Sequence, residues 1–98
     1  MIDVLVLIDI TNLNDKEKFE KHIVKEGFKI VQGEDFVYTG ESSTSNFSTK
    51  AYILEVFSKA IQKSSCEKCN MIFLLNETPY PSYAYNDDLK VFDLVNEK

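Results

Sequence analysis

Ninety-eight residues are enough for one domain and too few for two separate cores. A composition 44% hydrophobic and 12% aromatic, with three Gly and two Pro, excludes a disordered or low-complexity chain. The formal net charge of −5 repels a polyanion, which disfavours nucleic acid as a partner, and no apolar run approaches the roughly 18 residues of a membrane span.

Met1 leads straight into Ile2-Asp3-Val4-Leu5-Val6-Leu7-Ile8-Asp9 without a basic n-region or a cleavage site, so this stretch reads as a strand and not a secretory signal. A cytoplasmic location and two cysteine thiols are expected from it. Period two puts Ile2, Val4, Val6, Ile8 and Ile10 on one face and Asp3, Leu5, Leu7 and Asp9 on the other. Asn14 followed by Glu17 resembles a capping box, Phe19, Ile23 and Val24 form an apolar stripe, and Gly27 is a stop signal. Helix one is therefore expected over about 15–26.

Residues 28–31 and 35–39 are strand-like; Gln32-Gly33-Glu34 between them marks either a hairpin turn or a bulge in one bent strand. Gly40 to Ser48 is small and polar, which predicts a flexible loop. Tyr52, Ile53, Val56, Phe57, Ala60 and Ile61 give a wide helical stripe, predicting a helix over about 49–63. Met71 to Leu75 reads as a buried central strand. A loop with Pro79, Pro81 and three tyrosines follows, and Leu89 to Val95 reads as a last strand, at an edge or handed to a partner.

The order β-α-β(β)-α-β-β predicts an α+β fold: a ferredoxin-like split βαβ sandwich, with two helices on one face of a mostly antiparallel four- or five-stranded sheet, as one domain over 1–98. Right-handed crossovers put the two most apolar strands side by side in the centre. Two helices cannot cover both faces of that sheet. The Leu5/Leu7 face is left over, which predicts a homodimer.

Four features are candidates for chemistry. Asp9 ends an apolar strand near the sheet rim; its carboxylate either binds a hard cation with a second acid from a symmetry mate, or caps the next turn through the N–H of Thr11 or Asn12. Cys66-Glu67-Lys68-Cys69 is a single CxxC between a helix and a strand, the reverse of a thioredoxin arrangement, and zinc needs four ligands, so ordinary thiols are expected. His22 flanks the first helix stripe and reads as a boundary residue. Tyr80, Tyr83 and Tyr85 offer rings for stacking on a partner, but Glu77, Asp87 and Asp88 outweigh the nearest cations, Lys68 and Lys90. The same three rings also suit packing over the sheet edge.

The opening Val4-Leu5-Val6-Leu7-Ile8-Asp9-Ile10, and its spacing to Lys25-Glu26-Gly27-Phe28-Lys29-Ile30-Val31-Gln32, is similar to the smallest CRISPR-associated ferredoxin-like nucleases and their virulence-associated protein D relatives. The likeness runs over about residues 2–75 as a pattern of elements. It implies a dimer in which each subunit brings Asp9 to a shared magnesium or manganese ion for phosphodiester hydrolysis. The chain departs from that family in being acidic, in Gly33-Glu34-Asp35-Phe36-Val37, and in the Gly40–Ser48 stretch. Two readings follow: a non-catalytic homodimeric module that binds a protein or small molecule without a cofactor, or a metal-dependent endonuclease or toxin-like ribonuclease acting through Asp9.

Overall fold

Alternation of apolar and polar residues decides the layer structure, and β1 (Ile2–Thr11) shows it most clearly: Ile2, Val4 and Val6 are buried while Asp3, Leu7 and Asp9 are exposed. The structure, a computed structural model, describes residues 1–95; residues 96–98 of the expected domain span lie outside the described residues. After β1 come α1 (Lys16–Lys25), β2 (Lys29–Ile30), β3 (Val37–Ser42), α2 (Asn46–Ser64), β4 (Lys68–Leu75), β5 (Thr78–Pro79), β6 (Tyr83–Asn86) and β7 (Val91–Leu94). The sheet order is β2-β3-β1-β4-β6-β7, with β5 also on β4, and every pairing is antiparallel.

The part β4-β1-β3-β2 with its two crossover helices has the split βαβ order expected of a ferredoxin-like sandwich. The two most apolar strands do lie side by side, pairing from Val4↔Leu75 to Thr11↔Lys68. The strand count is higher than the expected four or five, because the segment after β4 returns along its free edge. Asn76 and Glu77, both at positive φ, turn the chain back; Leu74 then faces Pro79, and the Tyr80 N–H reaches the Phe73 carbonyl. By Met71↔Tyr83 the register has slipped by one, so Pro81-Ser82 forms a bulge opposite Ile72.

Local chemistry explains where the helices start. The cap of α1 is Asp15, whose carboxylate accepts from the Lys18 N–H at 3.0 Å, and the expected Asn14 cap is corrected by one residue; the Asn14 N–H goes to the Ser65 carbonyl. At the other end, Gly27 with φ 105° ends the helix as expected, with Gly27 N–H to Val24 and Phe28 N–H to Ile23. Gly33 lies in a turn between paired strands β2 and β3, which settles the hairpin over the bulge.

The expected flexible loop over 40–48 is also corrected. β3 runs through Gly40 to Ser42 in register with Val4 to Ile2, and α2 begins at Asn46, capped by Ser45 Oγ on the Ser48 N–H. Serine and threonine here are structural rather than loop-forming: the Ser42, Thr44 and Thr49 hydroxyls lie 2.6 to 3.2 Å apart in a closed trio. Between the helices and the sheet sits an aromatic core. Phe57 meets Phe19, Phe28 and Tyr38 at centroid distances of 5.3 to 6.3 Å, and the buried Tyr38 hydroxyl donates to Glu20.

Candidate functional site

Both helices pack on the Val4/Val6 side, so the other side of the sheet has no covering element among the described residues. Its centre is apolar by cross-strand register: Leu7 sits between Val37 and Ile72, and Leu5 between Thr39 and Leu74. Leu7 is 38% and Ile72 40% exposed, high values for side chains in the middle of a sheet. The next row outward on one end holds Asp3 and Glu41; on the other it holds Asp9, Asn70, Ala84 and Asp93. The face is an apolar strip with acidic ends.

The edges are less available than the face. On β7, Val91, Asp93 and Val95 turn their backbone groups to β6, which points the Phe92 N–H outward. That N–H is taken by the buried Ser58 hydroxyl of α2 at 3.2 Å, and Gln62 donates to the Lys90 carbonyl at 2.8 Å. A helix thereby covers part of the edge strand that an exposed ladder would offer to another chain.

Asp9 lies exposed on the open face, one row beyond Leu7 and opposite Asn70. β1 continues through Thr11, and the turn comes at Asn12 with φ 53°. Among the described residues Asp9 accepts no side-chain hydrogen bond, so the geometry gives no turn-capping contact. Among the described residues no three of His, Cys, Asp and Glu are grouped to hold a metal.

The bulge at Pro81-Ser82 places all three tyrosines on the helix side. Tyr80 and Tyr83 stack on Phe73 at 5.1 and 5.8 Å, and Tyr85 meets Phe92 edge-on at 5.5 Å. Of the two packings open to these rings, the structure has the one over the sheet. Cys66 and Cys69 are free; burial first, and then Cys66 and Asp9, push the Cys69 thiol up to about 12, which leaves it protonated and unreactive near neutrality. His22 has a buried Nε2 with no hydrogen-bond partner among the described residues, and burial lowers its pKa.

Sequence reasoning located Leu5 and Leu7 but missed Ile72 and Leu74, because Met71 to Leu75 has no polar residue to betray its alternation. Only the register of β4 against β1 reveals it. Among the described residues no helix is long and apolar enough to cross a membrane. Comparison with family models, with curated proteins and with solved structures finds no match to this chain.

Proposed function

We propose that this chain is a non-catalytic, cytoplasmic homodimeric interaction module in which two copies meet through the open face of the sheet. The observation that carries the reading is the Leu5-Leu7-Val37-Ile72-Leu74 strip, partly exposed at the centre of a sheet whose other face carries both helices. The strip lies on β3, β1 and β4, which are 6, 10 and 8 residues long. At about 4.8 Å spacing and about 3.4 Å rise these strands span roughly 390 Å², about half of the approximately 800 Å² per partner of a stable interface, so the strip is the centre of such a contact and not its whole extent.

Charge distinguishes a second copy from a basic partner. Two acidic-ended faces repel, so a homodimer tightens when salt rises from about 0.05 to about 0.5 M, whereas a complex with a basic protein weakens. Sedimentation equilibrium at micromolar concentration is expected to show the dimer, its tightening with salt, and a folded monomer for Leu7→Lys. A wild-type monomer, or a dimer indifferent to Leu7→Lys, contradicts the proposal.

The metal-dependent nuclease remains as a second reading because Asp9 is exposed on that same face. Each copy would offer its Asp9 carboxylate, with the Asn70 amide oxygen in the same row, to magnesium or manganese. Melting of wild type and Asp9→Asn decides between the two. The module predicts that millimolar magnesium or manganese moves neither and that neither cleaves RNA or DNA. A metal-dependent rise in Tm in wild type alone, together with cleavage, favours the nuclease.

A further inference from the structure

A cleft of about 400 Å³ lies on the opposite side of β3 from the dimer strip, where the end of α1, the end of β3 and the first turns of α2 converge. That volume falls within the range of small-molecule sites. One wall is the ring pair Phe28 and Tyr52, stacked at 6.3 Å with 14° between planes. The wall is held in place, because the Tyr52 hydroxyl donates to the Glu26 carbonyl at 2.7 Å and to its carboxylate at 3.1 Å. Val4 and Ile53 make the base apolar, and Gly40 keeps the cleft open: a methyl group there would meet the Phe28 ring at 3.3 Å.

The polar groups of the cleft are hydroxyls and one carboxylate, and of these the Ser43 and Ser48 hydroxyls can donate or accept. Ser42, Thr44 and Thr49 have three hydroxyl protons and three mutual contacts, so the trio consumes its own protons and leaves lone pairs. The Tyr52 proton goes to Glu26. One carboxylate, Glu26, stands at the rim, while the Glu41 side chain belongs to the open face; no Lys, Arg or His lines the cleft, and Glu26 has no ion-pair partner among the described residues. The start of α2 does not reverse this polarity. Its Ser48 N–H is occupied by the cap, and Asn46 and Phe47, whose N–H groups are the next free ones, do not line the cleft.

We propose that this cleft binds a small organic cation, an ammonium group on an apolar stem. The ammonium has donors only, which suits the Glu26 carboxylate and the hydroxyl lone pairs; the stem lies against the Tyr52 ring, whose face also attracts the charge. The cleft is a site separate from the dimer strip, so its occupancy does not depend on association.

The test is an NMR titration of the full chain with 2-phenylethylammonium, using 3-phenylpropionate as a probe of equal shape and opposite charge. Saturable amide shifts at Gly27, Gly40 and Thr49 are expected for the cation and none for the anion. Glu26→Gln retains the oxygen that Tyr52 bonds but removes the charge, and is expected to weaken binding about tenfold. Asp93→Asn, on the far end of the sheet, leaves it unchanged. Shifts spread over Asp87 and Asp88 as strongly as over Gly40, equal binding of the two probes, indifference to Glu26→Gln, or no saturation at millimolar probe each overturns the proposal.

Discussion

His22 shows how one side chain couples burial to pH. Its Nε2 is enclosed without a partner, and desolvation outweighs the favourable field of Glu26; Lys63, Lys25 and Lys59 lower the pKa further. The folded state therefore resists a proton that the unfolded chain accepts at its ordinary value of about 6.5. Stability from neutral His22 is complete above that value and is lost as pH falls below it, because the unfolded state binds more protons there. His22→Gln is expected to flatten this part of the profile. Urea midpoints of both proteins between about pH 7.5 and about pH 5 check it: the wild type loses more on acidification, and parallel profiles contradict the account.

At the scale of elements, the first strand, both helices and the central β1–β4 pair are legible in the sequence, since long apolar periodicity and the Gly27 stop are local signals. What was illegible depended on contacts distant in sequence. Asp15 and not Asn14 caps α1, and Asn14 is instead tied by its N–H to the carbonyl of Ser65, just past the end of α2. The Gly40–Ser48 stretch reads as a loop from composition alone, yet strand pairing with β1 and the hydroxyl trio order it. The tyrosines required the bulge at Pro81-Ser82 to share a side, and a bulge has no period to detect. Protection of β7 is another such contact. Ser58→Ala leaves the outward Phe92 N–H without its acceptor in a buried place, at an expected cost of about 1–2 kcal/mol. Thermal melts read the cost, and faster amide exchange at Phe92 assigns it to the edge; unchanged exchange there contradicts the role given to Ser58.

For the whole molecule, the fold concentrates its aromatic residues on one side of the sheet and leaves the other side apolar only along its middle. The helices use Phe19, Ile23, Ile53 and Phe57 on the covered side, so Leu7 and Ile72 stay exposed, and Leu5 and Leu74 partly so, unless a second surface meets them. Burial of such side chains contributes about 25 cal/mol per Å², which favours association until the acidic ends come close. The most direct measurement is an isotope-filtered NOE experiment on a mixture of labelled and unlabelled chains. Intermolecular contacts are expected among the methyl groups of Leu5, Leu7, Val37, Ile72 and Leu74, with none at α1 or α2. Intermolecular contacts confined to the helices, or their absence at concentrations where the chain is dimeric, would contradict an open-face dimer.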